Sequence, residues 1–202
     1  MKCFISIHPS AEEAARLQER RVLFARRLEQ LCPAIAAGVK WTRSDQLHLT
    51  IEFLGEITRQ QLVTVEAEIQ AIADETPPGS LQFQAVGAFP VYRTPKVLWW
   101  RVLAAGGVAE LQRKIRLRLL DTGMHLDTAY FPHVNMGRVG RIKPAEDECR
   151  TFTALLDAFS AELLQAPEVW PARGISIMRS AQAKAGAEYH CLRVIPFGGV
   201  GG

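Results

Sequence analysis

Apolar and polar positions along this chain follow two periods, and the switches between them lay out the elements. At the helical period of about 3.6 residues, Leu17, Leu23, Leu28 and Leu31 form one apolar side, with Arg20, Arg21, Arg26 and Arg27 mostly facing solvent. This first helix begins at Ser10, and Glu13 three residues later completes a capping-box pattern. A second begins at Thr58 with Gln61 in the same relation, and Leu62, Val65, Ile69 and Ile72 fall on one stripe. A third runs from about Gly107 to Asp121, with Val108, Leu111, Ile115 and Leu119 on one face. A fourth follows Pro144, a residue suited to a helix's first turn, and its stripe is Phe152, Leu155, Leu156, Phe159 and Leu163.

Between the helices the pattern drops to period two or to short apolar runs, which predicts strands. These are Lys2 to His8, Val39 to Trp41, Leu47 to Leu54, Leu81 to Phe89, Lys96 to Leu103, Phe131 to Val139, Gly174 to Ser180 and Tyr189 to Pro196. Pro77-Pro78-Gly79 and Pro90 to Pro95 read as turns or loops, and Gly198 to Gly202 as a loose tail. Alternating helices and strands give an α/β or α+β class. No composition break marks a linker, so the 202 residues are expected to form a single domain, 1–202.

Composition narrows the function classes. Apolar residues make up 48% and charged residues 22%, which excludes a disordered or collagen-like chain. A net charge of +3 permits an anionic ligand but is far below what coating duplex nucleic acid requires. No apolar run approaches the roughly 18 residues of a membrane span, and the N-terminus reads as a first strand rather than a signal peptide. Cys3, Cys32, Cys149 and Cys191 are widely spaced, so neither a CxxC pair nor a zinc ribbon is present. Four reduced, mostly buried thiols in a cytoplasmic, monomeric protein are expected.

One internal echo carries chemistry. His48-Leu49-Thr50-Ile51 and His133-Val134-Asn135-Met136 share the order His, apolar, small polar, apolar. Each falls in a predicted strand followed by a helix, as two βα units paired about a pseudo-twofold axis would have it. Side chains two apart on a strand share a face. His48 and Thr50 therefore look one way, His133 and Asn135 likewise, while Leu47, Leu49, Ile51 and Phe53 turn to the core. Two such strands facing across a groove bring together two imidazoles and two hydrogen-bond donors. That set suits phosphoryl transfer without a metal: one neutral imidazole takes a proton, the other, protonated, gives one, and Thr50 and Asn135 donate to non-bridging oxygens.

A single strand histidine is more often structural than catalytic. His8, His125 and His190 are read that way, with nothing paired to His8. Asn135 is unusual within an apolar strand; it marks either a specific hydrogen-bonding duty or a strand end. Strict alternation turns Arg138 away from His133. A bulge would re-aim it, toward a phosphate or a structural ion pair. Arg113-Lys114-Ile115-Arg116-Leu117-Arg118 reads as a basic, solvated helix surface. No metal-ligand spacing or phosphate-binding glycine loop is present.

These residues make the chain resemble the two-histidine (2H) phosphoesterases, and within them the RNA 2′,3′-cyclic phosphodiesterases, also called 2′-5′ RNA ligases. The resemblance runs through Phe4-Ile5-Ser6-Ile7, Val39-Lys40-Trp41, Leu47-His48-Leu49-Thr50, Phe53-Leu54-Gly55-Glu56, Gly87-Ala88-Phe89-Pro90, Val97-Leu98-Trp99, Tyr130, Pro132-His133, Arg138, Ser180 and Tyr189. It implies an α+β, two-lobed pseudo-twofold fold with antiparallel sheets lining a central groove. It implies His48 and His133 as the catalytic pair, Thr50 on the phosphate and a phosphate or ligand contact for Arg138, with no metal or other cofactor. The family reaction opens a 2′,3′-cyclic phosphate at an RNA end to a 2′-phosphate, breaking the bond to O3′; a 5′-hydroxyl in place of water gives a 2′-5′ linkage. Two positions depart from the pattern: Asn135, where the second motif normally has Thr or Ser, and Thr128, where Arg is frequent.

The sequence reading is thus hydrolysis of RNA cyclic phosphates, with His133 as base for water and His48 as acid for O3′, an order that symmetry allows to be swapped. Thr50, Asn135 and Arg138 hold the phosphate. The alternatives are a phosphodiesterase acting on small cyclic-phosphate nucleotides, and an RNA-end-binding module weakened in chemistry by Asn135.

Overall fold

The structure of the protein is a computed structural model that describes residues 1–90, 94–126, 130–183 and 186–198. Thr128, part of the Pro90 to Pro95 loop and the tail from 199 lie outside the described residues.

In chain order the elements are β1 (Lys2–Ile7), α1 (Ala11–Leu31), α2 (Pro33–Ala37), β2 (Val39–Trp41), β3 (Leu49–Glu56), α3 (Arg59–Glu75) and β4 (Gly79–Phe89). They continue with β5 (Val97–Gly106), α4 (Leu111–Asp121), β6 (His133–Val139), α5 (Glu146–Gln165), β7 (Val169–Ala172), β8 (Gly174–Ala183) and β9 (Gly186–Pro196). Both capping boxes form: Ser10 and Glu13 exchange side-chain-to-backbone bonds at α1, and Thr58 and Gln61 do so at α3. The α4 and α5 stripes are buried throughout, with Val108 contributed by the 3₁₀ turn that leads into α4.

Helix α1 departs from its expected face. Leu17, Phe24 and Leu28 are buried, whereas Leu23 is 47% exposed and Leu31 51%. At about 100° per residue Leu23 lies roughly 120° off the Leu17–Phe24–Leu28 line, and Leu31 ends the helix at the surface. Two elements were not expected from the pattern. Helix α2 is a single five-residue turn opened by Pro33, too short for periodicity to register. Strand β7 contains Pro171, which demotes it in any pattern reading, and it lies at the sheet edge, where a missing N–H costs little.

Among the described residues nine strands form one antiparallel sheet, in the order β7-β4-β5-β6-β3-β1-β8-β9, with β2 added on β6. Expectation of separate sheets gives way to this continuous one. Strands β3 and β6, which carry the two motifs, are central neighbours, with Leu49 opposite Val134. Reading outward from them, β5 mirrors β1, β4 mirrors β8 and β7 mirrors β9. That is the pseudo-twofold arrangement the internal echo calls for. Strands β3 and β6 share only that one pair, and farther along β2 occupies the same edge of β6, at residues 137–139.

One contiguous apolar cluster runs beneath the sheet, from Ile5 and Ile7 through Leu49, Val134 and Met136 to Trp100, Phe159 and Trp170. Gly87 shows how tightly the β4–β5 side is packed: a Cβ there would meet the Trp99 ring at 2.2 Å, so Trp99 lies directly on bare backbone. Cysteines differ from the expectation of mostly buried thiols. Cys3 and Cys32 are buried, Cys149 is half-buried and Cys191 is exposed, all unbonded. Burial pushes the Cys32 thiol up to about 11, which makes it inert as a nucleophile. No described helix is long and apolar enough to cross a membrane.

Candidate active site

The two motifs meet at one cavity of about 390 Å³, lined by His48, Thr50, His133, Asn135 and Arg138 together. This volume fits a small ligand or one end of a longer one. Every residue picked out from the sequence as a site candidate is therefore on one surface. His48 lies one residue before β3 and His133 is the first residue of β6. Each imidazole is fixed in the same way. Nδ1 of His48 donates to the carbonyl of Gln46 at 2.8 Å, and Nδ1 of His133 donates to the carbonyl of Phe131 at 2.8 Å. A carbonyl only accepts, so Nδ1 carries the proton in each neutral ring and Nε2 is left as the basic nitrogen.

Strand irregularities aim the flanking side chains. In β3 the register against β1 shifts between Ile5 and Ser6, leaving Ile51 as the extra residue. Phe53 therefore turns to the cavity, 48% exposed, instead of filling the core. In β6 the register against β5 shifts between Leu98 and Trp99, leaving Met136 as the extra residue. Arg138 consequently joins His133 and Asn135 on the cavity face. The bulge occupies the same place after each motif, and each delivers the residue five positions after the histidine. Asn135 is within β6, not at its end.

The surroundings of the two imidazoles differ. His48 is packed by Phe4 at 5.1 Å, Tyr189 at 5.1 Å and His8 at 5.6 Å between ring centroids. His8 is thus not without a partner: it lies against His48, and its Nε2 is 2.9 Å from the buried Ser6 hydroxyl. Burial holds His48 at about 4, below the usual 6.5, and the His8 and His133 rings push the same way. The Gln46 carbonyl opposes them. His133 meets Phe89 and Phe131, each at 5.8 Å. His125 and His190 are exposed, and His190 has Glu188 at 4.0 Å.

Sequence reasoning gave no site role to several lining residues. Lys2, Lys40, Phe4, Trp41, Thr42, Gln46, Ser180 and Gln182 all face the cavity. Lys40 becomes a site residue because β2 sets it opposite Arg138, a pairing with no local signal. Lys2, Lys40 and Arg138 put three cations on the wall, and among the described residues no Asp or Glu lines it. A wall lined by cations attracts an anion. Among the described residues no group of three or more His, Cys, Asp or Glu is placed to hold a metal ion. The basic surface of α4 is largely committed elsewhere: Arg113 pairs with Glu110, Arg116 with Glu52 and Arg118 with Glu68.

Comparison with known proteins gives a consistent result. The LigT-like phosphoesterase family matches over residues 11–99, which include the first motif. A protein of Archaeoglobus fulgidus named RNA 2′,3′-cyclic phosphodiesterase is 28% identical over 158 residues, covering 78% of this chain and 84% of that protein. One of the same name from Methanothermobacter thermautotrophicus is 26% identical over 113 residues, 56% of this chain and 61% of that one. Among solved structures, TT0787 of Thermus thermophilus has a TM-score of 0.74 at 23% identity, covering 98% of this chain and 99% of that one. E. coli LigT in complex with 3′-AMP has a TM-score of 0.61 at 17% identity, covering 97% of each. Over nearly the whole chain the fold is that of these two solved structures.

Proposed function

We propose that this chain is a LigT-like phosphoesterase and that it hydrolyses RNA 2′,3′-cyclic phosphate ends to 2′-phosphates with its two histidines and without a metal; the family match over residues 11–99 and the shared fold support the first part. The observation that carries the reading is the pair of Nδ1-anchored imidazoles on one cation-lined cavity, neither Nε2 being hydrogen-bonded among the described residues. The names of the relatives supply the substrate class.

The chemistry follows from that pair. A cyclic phosphate sits between the imidazoles, its non-bridging oxygens taking hydrogen bonds from Thr50 Oγ1, the Asn135 amide and the Arg138 guanidinium. One Nε2 accepts a proton as water oxygen bonds to phosphorus. The bond from phosphorus to O3′ breaks, and the other imidazolium gives its Nε2 proton to O3′. The product keeps its phosphate on O2′. Proton exchange with solvent then resets the two rings. The 5′-hydroxyl of a second RNA in place of water would give a 2′-5′ linkage through the same groups.

The unequal packing of the rings favours one order of acid and base. His48, held at about 4, is neutral in the empty site near pH 7 and serves as base for water, which leaves His133 as the acid for O3′. This is the swapped form of the order read from the sequence. The base is active when neutral, so kcat/KM, which reports the free enzyme, is expected to hold down to about pH 5 and to fall only as pH drops through about 4. A decline beginning as pH rises above 4 would instead make His48 the acid.

The direct test incubates the purified protein, with EDTA, with a short RNA ending in a 2′,3′-cyclic phosphate. The expected product is a 2′-phosphate. A bound terminus with no product would support the end-binding alternative. Turnover of mononucleoside cyclic phosphates as fast as of RNA would support the small-substrate alternative.

A further inference from the structure

Asn135 can serve a phosphate only if its amide points the right way. A Thr on a strand is stiff at χ1 and carries its hydroxyl in a fixed direction. Asn adds a broad, two-fold χ2 torsion, so its oxygen can face the cavity as readily as its NH₂, and an oxygen there would repel a phosphate. Something beside Asn135 has to choose.

Thr42 occupies that place. It lines the same cavity, and its Oγ1 donates to Asn135 Oδ1 at 3.4 Å. The backbone of Thr42 is itself held at both polar atoms. Its N–H donates to the carbonyl of Met136, the bulge residue, at 3.0 Å. Its carbonyl accepts from Nη1 of Arg21 on α1. Arg21 is half-buried, its guanidinium lies 5.7 Å from the Trp41 ring centre, and no carboxylate pairs with it among the described residues. A desolvated arginine is thus given over to holding the end of β2.

We propose that Thr42 is a positioning residue for Asn135: its hydroxyl takes the amide oxygen and turns the NH₂ toward the phosphate, while Arg21 fixes Thr42. Asn135 and Thr42 act as one unit that replaces the single hydroxyl of the usual motif. This rests on the phosphate-binding reading of the cavity given above.

The test is a double-mutant cycle with Thr42→Val, Asn135→Thr and the double variant, reading kcat/KM on an RNA ending in a 2′,3′-cyclic phosphate. One hydrogen bond of this kind corresponds to a factor of about three to ten. Thr42→Val is expected to lower kcat/KM by about that factor when Asn is at 135, and by less than about twofold when Thr is. Thr42→Ser, which keeps the donor, should retain the wild-type value. Equal losses in both backgrounds would show a merely structural role and overturn the proposal. If the wild-type protein fails to turn over the RNA, the hydrolysis reading falls separately. The same cycle is then read in the dissociation constant for adenosine 2′-monophosphate, where coupling upholds the Thr42–Asn135 unit and equal factors, or no binding, overturn it.

Discussion

His48→Ala and His133→Ala are each expected to lower turnover of an RNA 2′,3′-cyclic phosphate by roughly 10²- to 10⁴-fold, the usual contribution of one positioned proton-transfer group. Each imidazole is anchored at Nδ1 by a single backbone carbonyl two residues earlier, so each substitution removes one side-chain bond and leaves the strand ladder intact. The folded variants should keep the wild-type circular dichroism spectrum. On the proposed mechanism the two rings act in one step, so the double variant should lose little beyond either single one. Neither substitution removes Thr50, Asn135 or Arg138, the residues proposed to hold the phosphate, so both variants are expected to retain binding of a 2′-phosphate product. Undiminished turnover in both single variants would sink the two-histidine mechanism.

Arg116→Ala is expected to cost about 3–5 kcal/mol of folding stability, the loss seen when one partner of a buried ion pair is removed. Glu52 is only 3% exposed. Its carboxylate accepts from Arg116 Nη1 at 3.1 and 3.3 Å and from Gln112 Nε2 at 3.0 Å. Removal of Arg116 leaves that charge in the interior with one neutral donor. It also frees the carbonyl of Leu126, bonded to Arg116 Nη2 at 2.6 Å, on the segment that leads toward β6 and His133. Glu52→Gln should cost less, because it leaves behind Arg116, which is nearer solvent and keeps the Leu126 bond. The check is urea unfolding of the wild type, both single variants and the double. An Arg116→Ala midpoint close to wild type would remove the buried pair from the stability argument.

Much of this architecture was legible from local pattern. The capping boxes at Ser10 and Thr58 and the stripes of α3, α4 and α5 depend on interactions within four residues, and they formed as read. The echo of His48-x-Thr50 and His133-x-Asn135 identified the central strand pair, since a two-residue period assigns both polar side chains of a motif to one face. The face of Phe53 and the side of Arg138 could not be read in that way. Each depends on a bulge that exists only because a partner strand is matched one residue short. Leu23 and Phe24 exchanged roles on α1 because neighbouring elements decide which part of an apolar surface is covered.

Local pattern was enough for the class of elements, their order, and the two histidines with their same-face partners, because those properties follow from helix and strand periods along a single segment. How the site is tuned came from the folded arrangement. It set His8, Phe4 and Tyr189 around His48 and so lowered its basicity, it brought Lys2 and Lys40 to the cavity wall, and it placed Thr42 against Asn135. These are pairings between residues far apart in the chain. Desolvation, strand register and through-space charge act across the folded sheet, and no period along the chain encodes them.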